Sequence, residues 1–329
     1  MRPDVLRLAD PEATVAHVVE RMRAAVRGMR RRGAVLGLSG GVDSSVVAGL
    51  AARAFGPEGV LGLLMPEADS ESDSLALGRS AADAFGVATV VEDVTDVLVA
   101  AGCYRRRDEA IRQVIPDYGR GWRAKLVLPS VVDGDRFRLF SLVARAPDGR
   151  QTSVRLPLDA YLQVVAATNF KQRSRKMLEY YHADRLNYAV MGTPNRLEYD
   201  QGFFVKNGDG AADVKPIAHL YKTQVYQIAE VLGVPDEIRG RPPTTDTYSL
   251  PQTQEEFYFS LPYDRMDLCL YAVDHGIPAQ EAAGAVGLTA EQAQRVFDDI
   301  AAKRRVARYL HAPPVVLEPV GGGDPAEAP

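Results

Sequence analysis

The chain has 329 residues, of which 46% are hydrophobic and 25% are charged. This composition is that of a globular protein, and the length allows two domains or one large α/β domain. The formal net charge of −4 argues against a general nucleic-acid binder. Cys103 and Cys269 lie far apart, which argues against a disulfide scaffold and predicts a reducing compartment. No apolar run reaches the roughly 18 residues that a membrane span needs. We therefore expect a cytoplasmic protein without membrane contact.

The first elements alternate between helices and apolar strands. Valines and methionines at spacings of three and four predict an amphipathic helix over residues 11–32. The elements predicted next are strand 34–38, helix 45–55, strand 60–65, helix 73–85 and strand 87–91. Apolar strands that alternate with helices form parallel sheets with helices on both faces. Residues 34–91 therefore predict the opening βαβαβ of a doubly wound α/β fold.

The alternation stops at about residue 104. Between 125 and 157, short apolar runs are separated by Asp133-Gly134 and by Pro147-Asp148-Gly149. Asp-Gly pairs between such runs are typical of tight turns. We predict a β-meander, inserted at 104–160 within the α/β domain.

Helical patterning resumes near residue 158 and continues, after one more strand that ends at Gly192-Thr193, through a helical C-terminal part from 219 to about 309. The last 18 residues contain five prolines and three glycines. Such a composition predicts a flexible tail over 312–329. Residues 1–311 are then expected to form a single domain that carries the insertion.

A chemically distinctive segment follows the first strand, with the sequence Ser39-Gly40-Gly41-Val42-Asp43-Ser44-Ser45. The glycines let the backbone turn tightly, while the hydroxyls and the first amides of the next helix can donate hydrogen bonds to a phosphate. The lysine of the common NTPase phosphate loop is absent. The pattern S-G-G-x-D-S instead resembles the pyrophosphate loop of the ATP pyrophosphatases, which cleave ATP between its α and β phosphates to adenylate a substrate.

This resemblance implies a set of ATP-binding residues and a metal ligand. The ATP-binding residues implied here are Gly37, Leu38, Ser39, Gly40, Gly41, Val42, Asp43, Ser44 and Ser45. Asp43 would hold Mg²⁺, a hard cation that prefers carboxylate oxygen. A glycine turn followed by a helix cap is the plainer alternative for the same segment.

A serine hydrolase is a second alternative, because Gly37-Leu38-Ser39-Gly40-Gly41 also fits the nucleophile elbow G-x-S-x-G. Ser39 would then be the nucleophile, with His182, His219 or His275 as its base. However, the elbow does not account for Asp43 and the serines after it. About 32 residues precede the strand, without the HGGG-like stretch that an oxyanion loop would provide.

Further motifs lie between residues 168 and 245. They are Thr168-Asn169-Phe170-Lys171-Gln172-Arg173-Ser174-Arg175, Gly192-Thr193-Pro194-Asn195-Arg196-Leu197-Glu198, Gly208-Asp209-Gly210-Ala211-Ala212-Asp213, Pro216-Ile217-Ala218-His219-Leu220-Tyr221-Lys222-Thr223-Gln224-Val225 and Arg241-Pro242-Pro243-Thr244. In this order and spacing they closely resemble the NAD synthetases, over about 30–100 and 160–310. Members of that family adenylate the nicotinic acid carboxylate of deamido-NAD with ATP, release pyrophosphate, and let ammonia displace AMP.

The resemblance implies roles for individual residues. Asp43 and Glu198 match the magnesium ligands and Lys222 matches the phosphate-binding lysine, so these three are the expected catalytic residues. Thr193 and Thr244 match ATP-contacting positions, and the loop after Thr244 is expected to close over ATP. The expected substrate-binding residues are Asn169, Arg173, Lys206, Asp209 and Asp213. Taken singly, these acids and cations are more often solvated side chains or turn formers; the ordered series favours the functional reading.

Two departures from the family pattern keep a second substrate class open. The insertion at 104–160 is longer than the family usually carries, and the C-terminal basic signature is reduced to Lys303-Arg304-Arg305. An ammonia-dependent amide ligase for another small carboxylic acid of specialised metabolism is therefore an alternative. A tRNA-modifying enzyme is less consistent with the sequence, which has no basic RNA-binding extension.

The nitrogen source follows from length and from cysteine usage. A glutamine-dependent enzyme needs a nucleophilic cysteine, usually in a separate glutaminase domain, and about 30 residues before the first strand leave no room for one. We expect ammonia itself to be the substrate, either free or supplied by a separate glutaminase. The family resemblance also implies a homodimer, with the dinucleotide near the interface.

Overall fold

The computed structural model describes residues 1–71, 73–134, 140–245 and 247–318. The α-helices are α1 (Pro11–Gly28), α2 (Val42–Phe55), α3 (Ser74–Phe85), α4 (Thr95–Ala100), α5 (Cys103–Arg112), α6 (Leu158–Leu186), α7 (Arg196–Gln201), α8 (Lys222–Leu232), α9 (Asp236–Arg239), α10 (Tyr263–Asp274), α11 (Ala279–Val286) and α12 (Ala290–His311). The β-strands are β1 (Ala34–Gly37), β2 (Val60–Leu64), β3 (Ala88–Val91), β4 (Arg123–Val127), β5 (Ser141–Arg145), β6 (Gln151–Arg155) and β7 (Ala189–Val190).

A parallel sheet forms the centre of the fold. Within the described part of the chain its strand order is β3-β2-β1-β7, so β1 pairs with β2 on one side and with β7 on the other. The chain moves outwards through β2 and β3 and then returns to the far side of β1 as β7. Ligands bind to such sheets at the carboxyl ends of the strands where the order reverses. The predicted doubly wound α/β fold is confirmed.

Both faces of β1 are buried, which explains its uninterrupted apolar sequence. Ala34 and Leu36 belong to a core with α1, α2 and α8 on one face, whereas Val35 packs with Ala183 of α6 on the other. All three strand residues are 0% exposed. Complete burial of a valine or leucine side chain contributes roughly 1.5–3 kcal/mol.

Helix α2 begins at Val42, three residues before the predicted start. Gly41 is its N-cap in extended backbone (φ −88°, ψ 158°), and its carbonyl oxygen accepts a hydrogen bond from Ser45 N at 3.1 Å. The first turn of the helix therefore contains Asp43 and Ser44. This places the phosphate-binding sequence at the helix N-terminus itself.

The predicted β-meander is present, as an antiparallel sheet in the order β4-β5-β6. Gly149, at φ +89°, turns the chain between β5 and β6, and its amide donates to Ala146 O at 3.0 Å. The segment 104–160 also contains most of helix α5, whose Ala110 and Ile111 are buried in the same core as Val164 of α6. Part of the predicted middle strand, 137–139, lies outside the described residues.

The C-terminal part is helical, as predicted. Met266 and Leu270 of α10 share a core with Val296 and Ile300 of α12. Of the predicted tail, residues 312–318 belong to no helix or strand, and 319–329 lie outside the described residues. Among the described helices, none has both the length and the apolar character that crossing a membrane requires.

Candidate active site

A cavity of about 760 Å³ lies at the carboxyl ends of β1, β2 and β7. Its volume falls within the range of small-molecule binding sites. Most of the residues that the sequence singled out line it: Gly37, Leu38, Ser39, Gly40, Gly41, Val42, Asp43, Ser44, Asn169, Arg173, Thr193, Glu198, Lys206, Asp209, Lys222 and Thr244. The fold therefore brings together segments that lie far apart in the sequence.

The loop between β1 and α2 is a tight glycine-containing turn that lines the cavity. Gly40 has φ +78°, and a Cβ atom there would lie 2.7 Å from Leu77 Cβ, so the position requires glycine. Ser44 Oγ donates to Gly41 O at 3.0 Å, and Gly41 N donates to Ser39 Oγ at 3.3 Å. The first-turn residues Val42, Asp43 and Ser44 line the cavity, and amides at a helix N-terminus, which lack intrahelical acceptors, favour a bound phosphate.

Asp43, Lys222 and Glu198 form a charged cluster beside this loop. Lys222 Nζ donates a hydrogen bond to Asp43 Oδ2, and Asn195 Nδ2 donates to Asp43 Oδ1 at 3.1 Å. Glu198 Oε2 accepts from Asn195 N at 3.1 Å, and Glu198 Oε1 accepts from Gln254 Nε2 at 2.9 Å. Two carboxylates and one ammonium therefore face the phosphate-binding loop.

Burial and neighbouring charges shift the pKa values of Glu198 and Lys222 in this cluster. Burial raises the pKa of the Glu198 carboxyl, and the negative charge of Asp43 raises it further. Burial alone would lower the pKa of the Lys222 ammonium, but the charges of Asp43 and Glu198 outweigh burial and raise it. Lys222 is thus held as a cation, whereas the raised pKa of Glu198, about 8, favours its protonated form at neutral pH until a cation binds beside it.

Asp267 of α10 positions the start of helix α8, which carries the lysine. Its carboxylate oxygens accept hydrogen bonds from Lys222 N at 3.2 Å and from Thr223 N at 2.7 Å. Burial raises the pKa of Asp267 to about 7, although these donors oppose the change. The backbone of Lys222 is therefore anchored independently of its side chain.

The expected substrate-binding residues occupy the end of the cavity between α6 and the 202–210 loop. Arg173 Nε donates to Lys206 O at 3.2 Å, which ties the loop to α6. Lys206 Nζ donates to the carbonyls of Tyr309 and Ala312, at 2.8 and 2.9 Å. Asp209 Oδ1 accepts from Val205 N at 2.7 Å. Arg173 presents a guanidinium to this region.

Two predicted contact residues lie away from the cavity. Ser45 is 0% exposed beneath the loop, and its hydroxyl donates to Gly41 O at 2.9 Å. Asp213 is exposed and accepts hydrogen bonds from Val190 N at 2.8 Å and from Tyr180 OH at 3.2 Å. Neither residue is among those that line the cavity, and both side chains instead bind backbone next to it.

Sequence reasoning gave no role to Asn195 or Gln254. Asn195 caps α7, and with Glu198 it makes a reciprocal capping box, which the spacing Asn-x-x-Glu signals. Gln254 lies 56 residues after Glu198, and no local pattern connects the two. The cavity-lining pair Lys176 and Glu179, joined at 2.5 Å, was also missed. Its i, i+3 spacing on α6 is the available signal.

The three histidines considered as hydrolase bases have other surroundings. His182 Nε2 lies 2.7 Å from Glu92 Oε1, and the ring of His275 stacks on Tyr271 at 3.9 Å between centroids. His219 lines a separate cleft near α12. Ser39 Oγ lies 3.2 Å from Ser44 Oγ. This arrangement does not support a serine nucleophile.

Comparison with known proteins agrees with the site. A family model described as NAD synthase matches residues 14–113 and 151–308. The chain belongs to the NAD synthase family. It is therefore a ligase that forms C–N bonds, with ATP as the co-substrate, as the sequence predicted. The family match omits residues 114–150, which contain β4 and β5 of the meander.

Individual members of the NAD synthase family are similar over nearly the whole chain. The NH(3)-dependent NAD(+) synthetase of Rhizobium meliloti (strain 1021) is 59% identical and covers 97% of this chain and 98% of its own length. That of Rhizobium rhizogenes (strain K84) is 61% identical, with 96% of each chain covered. The solved NH3-dependent NAD synthetase of Campylobacter jejuni, at 20% identity and a TM-score of 0.61, shares the fold over 94% of this chain and 100% of its own.

Proposed function

We propose that the protein uses ATP to adenylate the carboxylate of deamido-NAD and then transfers ammonia to it, with NAD, AMP and pyrophosphate as products. The single observation that carries this proposal is the cluster of Asp43, Lys222 and Glu198 beside the phosphate-binding loop. The relatives at about 60% identity, which are named NH(3)-dependent NAD(+) synthetases, support this substrate over another carboxylic acid.

The phosphate-binding loop orients ATP for this reaction. The amides at the start of α2 hold the polyphosphate, since they present unpaired donors to an anion. Lys222, kept cationic by its two carboxylate neighbours, neutralises the charge that develops as pyrophosphate leaves. Thr193 and Thr244 line the same part of the cavity and offer hydroxyl donors to the nucleotide.

A magnesium ion fits the donor set of the cluster. Asp43 and Glu198 offer carboxylate oxygens, and Mg²⁺ is usually held by one or two carboxylates together with substrate phosphates and water. No group of three or more acidic, histidine or cysteine side chains suited to a metal occurs among the described residues. When bound to the nucleotide, the ion supplies charge neutralisation of the departing pyrophosphate.

The opposite end of the cavity receives the dinucleotide in this proposal. Arg173 supplies a cation for a phosphate of deamido-NAD, and Asn169, one helical turn earlier on α6, supplies an amide. Asp209 faces the cavity and offers carboxylate oxygens to ribose hydroxyls. Lys206 and Asp213, the other two predicted substrate-binding residues, act in this proposal by holding the backbone around the cavity.

We also propose a cytoplasmic homodimer. Helix α6 lines the substrate end of the cavity and exposes two pairs of apolar side chains at i, i+4 spacing, Leu158 with Leu162 and Met177 with Tyr181. Exposed apolar side chains clustered on one element mark interaction surfaces. Cys103 and Cys269 are buried and unpaired, which is consistent with a reducing compartment.

The decisive experiment measures pyrophosphate and AMP release from ATP in the presence of ammonium and a panel of carboxylic acids. The panel includes deamido-NAD, nicotinic acid mononucleotide and nicotinic acid. Stimulation by deamido-NAD is the expected result, whereas stimulation only by a different acid would favour the other amide ligase. Glutamine replaces ammonium in a parallel assay, and efficient turnover with glutamine would contradict direct use of ammonia.

A further inference from the structure

The β-meander makes backbone contacts with a loop of the active site. This loop, residues 243–254 (residue 246 is not among the described residues), contains Thr244 and Gln254 of the cavity wall. Ala124 N of β4 donates to Ser249 Oγ at 2.9 Å, and Leu250 N donates to Ala124 O at 3.3 Å. The free edge of β4, which β5 does not cover, therefore pairs with the 243–254 loop.

Side chains extend this contact along β4. Lys125 Nζ donates to Pro251 O at 3.2 Å and to Glu256 Oε2 at 2.7 Å. Gln252, which is 4% exposed, donates from Nε2 to Leu126 O. The contact thus combines an ion pair with a buried hydrogen bond.

The opposite side of the same loop reaches the catalytic cluster. Thr244 forms an isolated antiparallel bridge with Thr253, so the two arms of the loop are joined near its base. Gln254 then donates from Nε2 to Glu198 Oε1 at 2.9 Å. The contacts from β4 therefore reach Glu198, a proposed metal ligand, through the 243–254 loop.

Apolar packing fixes the loop to the meander at the same place. Tyr248 is buried in one core with Leu126 and Leu142 of the meander. Its ring lies edge-on to Phe257, with 5.5 Å between centroids. A displacement of β4 would expose these rings, so packing and hydrogen bonding favour the same loop position.

We propose that the meander is a positioning element for the ligase reaction, which holds the 243–254 loop over the cavity and thereby orients Gln254 against Glu198. This inference rests on the proposed function for its effect on catalysis. A loop braced in this way is preformed before ATP binds, so less ordering is required when the nucleotide enters. The segment responsible lies largely in 114–150, which the family model does not match.

The test compares Lys125→Met and Gln252→Ala with two controls. Arg123→Met removes an exposed cation from the same strand, and Lys125→Arg preserves the charge that pairs with Glu256. Amide hydrogen exchange reports the opening of the 243–254 loop, and steady-state kinetics report KM for ATP, the Mg²⁺ requirement and kcat separately. Because Lys125 is partly exposed and lies outside the central sheet, its substitution leaves the α/β core intact.

Both test variants are expected to speed exchange in the 243–254 loop by about three- to tenfold, the effect of losing one hydrogen bond. KM for ATP or the Mg²⁺ requirement should rise by a similar factor, while both controls resemble the parent protein. Unchanged exchange in both variants would overturn the proposal, as would a loosened loop with unchanged KM and Mg²⁺ requirement. Exchange needs no substrate, so a loosened loop in a protein that fails to amidate deamido-NAD would count against the proposed function alone.

Discussion

The ammonium of Lys222 donates a hydrogen bond to the carboxylate of Asp43, although 179 residues separate the two in the sequence. Lys222 begins α8 and Asp43 lies in the first turn of α2, and the two helices pack against each other. The ion pair lines the same cavity as the loop between β1 and α2. The proposed reaction needs a cation there, beside the departing pyrophosphate.

Removal of either partner of this pair should abolish AMP formation. Lys222→Met deletes the cation proposed to stabilise the leaving pyrophosphate, and Asp43→Asn deletes a proposed metal ligand. We expect kcat to fall by at least roughly 10²–10³-fold in each variant, as for the loss of one preorganised electrostatic group. Release of AMP is the measurement, with Asp96→Asn on the exposed surface of α4 as the control. Retained turnover in either variant would refute the role assigned to that residue.

Glu198→Gln tests the magnesium site without changing the size of the side chain. The amide keeps a hydrogen-bonding group beside Gln254 but cannot ionise, so it would offer no negative charge to a divalent cation. The Mg²⁺ concentration for half-maximal activity should rise by about 10- to 100-fold. Titration of activity with Mg²⁺ at fixed ATP measures this shift. An unchanged Mg²⁺ requirement, with only kcat lowered, would remove Glu198 from the metal site.

Gly40→Ala tests the shape of the phosphate-binding loop. The position has φ +78°, and the new Cβ would lie 2.7 Å from Leu77 Cβ and 3.0 Å from Ser74 O. Strain of this kind costs about 1–3 kcal/mol, and KM for ATP should rise because the loop must open. Gly284→Ala is the matched control, since a Cβ in α11 meets open space and the change should stabilise by about 0.5–1 kcal/mol. Equal changes of melting temperature in the two variants would contradict the prediction that only Gly40 is constrained.

Lys171→Met tests a buried ion cluster behind the cavity. Lys171 Nζ donates to Glu67 Oε1 at 2.9 Å and to Asp69 Oδ2 at 2.8 Å, with only 1% of its side chain exposed. The buried Glu67 and the half-buried Asp69 would lose their shared cation, although Asp69 keeps its ion pair with Arg107. Because the Glu67 carboxyl is then buried without a cation, the free energy of unfolding at pH 7 should fall by about 3–5 kcal/mol. Urea unfolding measures the loss, and Arg150→Met on an exposed turn is the control.

The loss of unfolding free energy in Lys171→Met should depend on pH in a defined direction. Burial alone would raise the pKa of Asp69, but the charges of Lys171 and Arg107 outweigh burial and lower it. The stabilisation from a lowered carboxyl pKa is present above the unfolded value, roughly pH 4, and is lost as the pH falls through the folded value. The difference between parent and Lys171→Met should therefore shrink below about pH 4. A difference in unfolding free energy that stays constant from pH 7 to pH 3 would contradict this prediction.

Met177→Glu tests the proposed dimer surface. Met177 is 55% exposed on α6, close in sequence to Arg173, so a charge there should disrupt an apolar interface without affecting the core. Light scattering after gel filtration should show a shift from dimer to monomer. Val315→Glu, at a site 84% exposed after α12, should leave the mass unchanged. A parent protein that is monomeric throughout the concentration range would refute the proposed homodimer.

Local patterns were sufficient to predict the central fold and to single out many of the residues that line the cavity. Strands such as 34–38 are recognisable because both of their faces are buried, and the predicted 60–65 strand is observed within one residue. The order of the motifs assigned Asp43, Glu198 and Lys222 together, and the structure brings all three into one cluster. The start of α2 was predicted too late because a glycine N-cap leaves little trace in hydrophobic patterning.

By itself, the sequence determined the doubly wound architecture and membership of the ligase family, and it predicted a phosphate-binding loop, because each depends on residues adjacent in the chain or on a fixed order of motifs. Only the tertiary structure decided that Gln254 supports Glu198, that Ser45 lies beneath the loop, and that the meander pairs with the 243–254 loop. These relationships join residues that are distant in sequence or depend on which side of a turn is buried. They arise from the packing of whole elements, and packing leaves no periodic signal at the individual positions.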